Sequence, residues 1–105
     1  MFLNQLNKME KKAFLQLAHH IANSDDEFSI EEQFVISGYC KEMSILDTGY
    51  NKEQFNLNKT LEIFETKKSQ RIALLELISL VYADNKVHEN EDELLKQIVT
   101  FFKIE

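Results

Sequence analysis

Glycine and proline are almost absent from this chain, whose 105 residues contain no proline and only two glycines, Gly38 and Gly49. Folds built from many short strands need glycine or proline at their turns, so this composition favours helices. The length predicts one small domain spanning residues 1–105, and an apolar content of 44 % can supply its core. We therefore expect a compact all-α bundle of five to seven helices.

Apolar residues recur at three- and four-residue spacing in four segments, as they do on the buried face of a helix. Capping boxes at Asn7 with Glu10 and at Ser29 with Glu32 mark the first two helix starts. The predicted helices cover about 8–24, 30–44, 67–83 and 89–102. The polar segment 47–60 is predicted to contain a turn and one or two short helices around Phe55 and Leu61. The predicted core includes Leu17, Ile21, Ile36, Leu77, Leu80, Ile98 and Phe102.

Charge and hydropathy exclude several classes of protein. A net charge of −6 argues against non-specific binding to nucleic acid, which requires Lys and Arg to neutralise phosphates. The longest nearly apolar run, residues 72–82, is too short to span a membrane, and residues 1–12 lack the apolar core of a signal peptide. The single cysteine, Cys40, cannot form an internal disulfide. We expect a cytoplasmic protein that does not insert into a membrane.

The chain contains an internal repeat. Residues 17–32 align without gaps with residues 76–91 at an offset of 59, and the alignment pairs Asp25 with Asp84 and Glu32 with Glu91. Each copy consists of an apolar helix, an Asp, a short elbow and a second helix with Glu in its first turn. The repeat therefore predicts two helix–elbow–helix units packed together.

Ten of the eighteen acidic residues lie in the two elbow regions, and four of them project toward the buried side. Helical projection places Asp25, Glu32, Asp84 and Glu91 on the same stripes as the core residues. An inward carboxylate needs hydrogen bonds, a basic partner or a cation. Helix capping with backbone hydrogen bonds and cation binding therefore both remain as interpretations. The elbow is too short for an EF-hand, and all-oxygen ligation would favour Ca²⁺ or Mg²⁺.

The segments SDDEFSIEE (24–32) and ADNKVHENE (83–91) resemble the two acidic elbows of the TerB-like, tellurite-resistance B family of bacterial helical domains. The resemblance implies a helical module in tellurite or chemical-stress response that acts through protein partners. It also implies divalent metal at Asp25, Glu32, Asp84 and Glu91. The glycine that follows each Asp in the family is replaced here by Asp26 and Asn85.

The spacing predicts that Asp25 approaches Glu32 and that Asp84 approaches Glu91, as two separate clusters or as one. Nothing in the sequence fixes the partner or the oligomeric state.

Other polar residues carry no recognisable catalytic pattern, so a non-enzymatic module is expected. His19 and His20 are adjacent and lie on different faces of their helix, and His20 is expected to face solvent. Cys40 is interpreted as a structural thiol, and the basic residues 67, 68 and 71 as a solvated face. A purely structural interaction domain is the main alternative function. A small metal-dependent hydrolase is the third, with no nucleophile, base or substrate pocket to support it.

Overall fold

Helices are the regular structure of this protein in the computed structural model, which describes residues 2–24, 29–47, 49–83 and 89–103. Within these ranges, a short 3-10 helix, Leu3–Gln5, precedes five α-helices. The α-helices are α1 (Lys8–Ala22), α2 (Ile30–Met43), α3 (Leu57–Glu62), α4 (Lys67–Val81) and α5 (Glu89–Phe102). No β-strand occurs within the described ranges, so the predicted all-α class is confirmed.

Capping boxes open the first two α-helices, as predicted. In α1, the Asn7 side chain accepts a hydrogen bond from Glu10 N at 2.8 Å, and Glu10 Oε1 accepts one from Asn7 N at 2.9 Å. Ser29 and Glu32 make the reciprocal pair at the start of α2. These bonds satisfy backbone N–H groups that have no partner inside the helix.

Helix ends differ slightly from the sequence prediction. Both α1 and α4 end two residues earlier than expected, at Ala22 and Val81. The helix α2 ends near Ser44 as predicted. Ser44 adopts a left-handed conformation with φ 57°, which stops the helix there. At the end of α5, Lys67 Nζ donates to the carbonyl of Phe102 at 2.6 Å, so Lys67 is not a purely solvated residue.

The polar segment between α2 and α4 contains one α-helix in its described residues. The predicted short helix around Leu61 is α3, and near Phe55 the chain forms a turn in which Phe55 N donates to the carbonyl of Asn51 at 3.1 Å. Asn56 has an extended backbone, and its side chain accepts from Lys59 N at 3.0 Å. Because this cap fixes the helix start, Phe55 lies in the preceding connection.

Two helices occupy the centre of the bundle, because α1 and α4 pack against each other and each also contacts α2 and α5. This arrangement explains why α4 has apolar residues around much of its circumference. All seven predicted core residues are buried: Leu17, Ile21, Ile36, Leu77, Leu80, Ile98 and Phe102.

The two helix–elbow–helix units meet at one end of the bundle. Asn90 Nδ2, in the first turn of α5, donates to the carbonyl of Ser24, just beyond the end of α1, at 3.3 Å. The end of α1 and the start of α5 are therefore adjacent.

Candidate functional site

Glu32 lies in the first turn of α2, where its own capping box holds it. Glu32 Oε1 accepts hydrogen bonds from Ser29 N at 3.1 Å and from Ser29 Oγ at 3.2 Å, while Glu32 N donates to Ser29 Oγ at 3.1 Å. The carboxylate is therefore folded back over the helix start. One of its two oxygens is fully accounted for by local capping.

The second carboxylate oxygen of Glu32, Oε2, takes no part in these capping hydrogen bonds. The side chain is only 1 % exposed, and Oε2 has no hydrogen-bond partner among the described residues. A buried carboxylate oxygen that loses water without gaining a partner carries a desolvation penalty of about 1–3 kcal/mol or more. Capping thus explains the position of Glu32 and leaves its second oxygen unexplained.

Glu91 occupies the corresponding position in the second unit, 59 residues further along the chain. It lies in the first turn of α5 and is fully buried. The predicted inward projection of both glutamates is therefore confirmed. A buried Glu at the same place in each repeat is a shared property of the two units.

The aspartates of the predicted site, Asp25 and Asp84, lie outside the described residues. Their approach to Glu32 and Glu91 therefore stays a prediction. The contact between Asn90 and Ser24 does bring the two units together immediately before Asp25 in the sequence.

Within the residues that the structure covers, no group of three or more His, Cys, Asp or Glu side chains is positioned to hold a metal ion. The predicted ligand set also includes Asp25 and Asp84, which lie outside the described residues. This observation therefore concerns only Glu32 and Glu91 of that set. Glu32 Oε2 fits a cation because carboxylate oxygens are the ligands that Ca²⁺ and Mg²⁺ use.

The remaining acids of the two elbow regions that the structure describes behave as the capping interpretation expects. Glu31, Glu89 and Glu93 are exposed, and Asp92 is paired with Lys96 Nζ at 3.4 Å on the next turn of α5. Acidic residues in a first turn interact favourably with the helix dipole. These side chains need no ligand to account for their positions.

A histidine–aromatic cluster was not predicted from the sequence. His20 Nδ1 lies 2.6 Å from the hydroxyl of Tyr50, and its ring stacks on Phe55 at 4.2 Å between centroids. The expectation that His20 faces solvent is therefore wrong. Burial, and then the charge of Lys52, lower the pKa of His20. The two aromatic residues in an otherwise polar segment were the available signal.

His19 points to a different partner, as adjacent helical residues must. It is buried, and its Nε2 lies 3.0 Å from Oδ1 of Asp47. Together with the bond from Gln16 Nε2 to the carbonyl of Gly49 at 2.8 Å, these contacts fasten the segment after α2 to one stripe of α1. The histidines therefore have a structural role as anchors of this connection.

Cys40 is not activated as a nucleophile. It is half-buried, and burial, followed by the negative charge of Asp47, raises the pKa of its thiol. A reactive cysteine needs the opposite shift, since the thiolate is the reactive form.

Comparison of this chain with known proteins found no match. No protein-family model matches the chain, and no curated protein or solved structure matches it. Among the described helices, none combines the length and the apolar character needed to cross a membrane.

Proposed function

We propose that this chain is a non-enzymatic, TerB-like helical module that binds a divalent cation at its buried elbow carboxylates. It acts through protein partners in the cytoplasm, in a tellurite or chemical-stress response of the kind linked to that family. The proposal rests on the sequence resemblance of the two elbows together with one structural observation. That observation is the buried Oε2 of Glu32, for which the described residues provide no hydrogen bond.

The cation would be held by Asp25, Glu32, Asp84 and Glu91. A bound Ca²⁺ or Mg²⁺ supplies positive charge that offsets the mutual repulsion of carboxylates held close together. Glu32 would contribute Oε2, because Oε1 is engaged by Ser29. The cation would thus bind the folded state in preference to the unfolded chain and raise its stability.

A purely structural interaction domain is the second candidate, and the complete Ser29–Glu32 capping box favours it. In that account, the acids serve only to begin helices. The two accounts differ in their expected response to divalent ions.

The deciding experiment measures melting temperature with and without millimolar Ca²⁺ or Mg²⁺ at constant ionic strength. Glu32→Gln is the test variant, because Gln retains the oxygen that accepts from Ser29 and removes the charge. Glu31→Gln is the matched control on the exposed side of the same turn. If the ion concentration reaches about 100 times its dissociation constant, the native state gains about 2.7 kcal/mol.

The proposal predicts that wild type and Glu31→Gln both gain stability and that Glu32→Gln loses the response. Equal responses in all three proteins would show diffuse screening of surface charge. No response in wild type would favour the capping account and end the metal assignment.

A further inference from the structure

The solvent-facing side of α4 carries three apolar residues. Leu75, Ile78 and Tyr82 are 59 %, 37 % and 45 % exposed, and they lie three and four residues apart. This spacing places their side chains on one face of the helix. Tyr82 N still donates to the carbonyl of Ile78 at 3.2 Å, so the helical spacing holds as far as Tyr82. The outer face of a helix in a bundle is normally polar, and the core of this domain does not use these side chains fully.

Two basic residues continue this row toward the start of α4. Lys68 and Arg71 are exposed, and they precede Leu75 by seven and four residues. Because a helix turns about 100° per residue, all five side chains fall within a sector of about 80°. Their alternating three- and four-residue spacing is that of the contact seam between two helices in a coiled coil. We define the α4 outer stripe by its five residues: Lys68, Arg71, Leu75, Ile78 and Tyr82.

The charge of the α4 outer stripe is opposite to that of the whole chain. The chain carries −6, yet the exposed side chains of α4 include Lys67, Lys68 and Arg71 and no acid. The one acid of this helix, Glu76, is partly buried and lies off the stripe. Among the described residues, neither Lys68 nor Arg71 forms an ion pair with a carboxylate. A partner with Asp or Glu beside its apolar residues would complement these two charges.

We propose that the α4 outer stripe is a docking site for an acidic amphipathic helix of a partner protein. The apolar side chains of that helix would pack against Leu75, Ile78 and Tyr82, and its acids would pair with Lys68 and Arg71. The stripe extends over about 21 Å, because a helix rises about 1.5 Å per residue, so about four turns of a partner helix cover it.

Charge also distinguishes this occupant from two others. The stripe of a second copy would present the same cations and no acid, so the complementary charge would be missing. A helix that lies on a membrane carries its Lys and Arg on the polar face beside the apolar one. Here Lys68 and Arg71 lie in line with the apolar residues, and the net charge of −6 opposes anionic lipid. The proposal rests on the proposed function for the existence of a protein partner and does not depend on the cation.

The test uses two synthetic 18-residue helical peptides on an alanine background, with leucines at three- and four-residue spacing. One carries glutamates and the other lysines at both ends of the leucine face, so either orientation brings charge to Lys68 and Arg71. Each peptide is titrated into the ¹⁵N-labelled full chain in EDTA, so that failure of the cation site cannot change the result. The glutamate peptide is expected to shift the amide signals of α4. Shifts that lie elsewhere, that are spread evenly or that are absent would overturn the proposal, as would equal binding of the lysine peptide.

Apolar variants test the stripe by fluorescence anisotropy with labelled glutamate peptide. Leu75→Gln with Ile78→Gln is expected to weaken binding about tenfold or more, and Leu75→Gln alone keeps the test available if the double variant unfolds. The control is Ile30→Gln with Phe34→Gln, at two exposed apolar residues of α2. Both lie on the side of α2 opposite Tyr39, whose hydroxyl contacts α4, so affinity should change less than about twofold. Equal losses in both double variants would refute a specific site.

Charge variants test the identity of the partner in the same assay. Lys68→Gln with Arg71→Gln should weaken binding of the glutamate peptide about threefold or more in about 50 mM salt, and the loss should shrink in about 500 mM salt. The control, Lys8→Gln with Lys12→Gln, removes two exposed cations from α1 and should change affinity less than about twofold. Equal losses in the two variants would show general attraction between charges and refute the acidic partner.

Two other results would assign the stripe to a different occupant and overturn the proposal. The first is a concentration-dependent dimer that Leu75→Gln abolishes, measured by sedimentation equilibrium, which would identify a second copy of this chain. The second is binding to phosphatidylserine vesicles that the same variant abolishes, which would identify a lipid surface.

Discussion

Leu77→Ala tests whether α4 is the central helix of the bundle. Leu77 is 0 % exposed, and the substitution deletes three carbon atoms from a packed site between helices. At about 0.8 kcal/mol per buried methylene, the transfer term alone is about 2.4 kcal/mol. The cavity left behind raises the expected loss in unfolding free energy to about 2–5 kcal/mol.

The matched control is Leu75→Ala, two residues away on the same helix, where the side chain is 59 % exposed. Both substitutions change helix propensity equally, so their difference isolates burial. Urea unfolding followed by circular dichroism at 222 nm supplies both free energies. We expect Leu75→Ala to lie within about 0.5 kcal/mol of wild type. A Leu77→Ala loss below about 1 kcal/mol, or one equal to the control, would refute the central position of α4.

Three further predictions concern caps, titration and a buried hydrogen bond. Ser29→Ala should lower the unfolding free energy by about 0.5–2 kcal/mol by removing the α2 cap, whereas Ser37→Ala on the exposed face should leave it nearly unchanged in the same urea assay. Because the pKa of His20 is lowered from 6.5 in the folded chain, the unfolded chain binds the proton first. Stability should therefore fall as pH decreases below 6.5, and urea midpoints of His20→Gln should show a smaller fall. Tyr39→Phe should cost about 0.5–1.5 kcal/mol in thermal unfolding, since its hydroxyl donates to a carbonyl of α4.

The helices could be predicted from the sequence because their signals are local. The end of α5, at Phe102, agrees with the periodicity of its apolar residues. The inward projection of Glu32 and Glu91 could be predicted for the same reason. Helical projection needs only residue spacing, and the structure confirms both burials.

The histidine–aromatic cluster could not be predicted in this way. His20 and Tyr50 are thirty residues apart, and their contact depends on how the segment after α2 crosses α1. The second oxygen of Glu32 is a similar case. Spacing places the carboxylate inside, but only the packed neighbours decide which of its oxygens receives a hydrogen bond.

The contacts that hold the α2–α3 connection against α1 also affect domain swapping, in which two copies of this chain would exchange helices. Exchange of the second helix pair between two molecules would require this connection to open into an extended hinge. Opening would break the contacts of Gln16, His19 and His20 with the connection in both molecules at once. All three side chains belong to α1 of the same chain. This helix therefore keeps the connection closed and opposes its exchange with a second copy. The chain should therefore resist domain swapping, and replacing these three residues together should promote it.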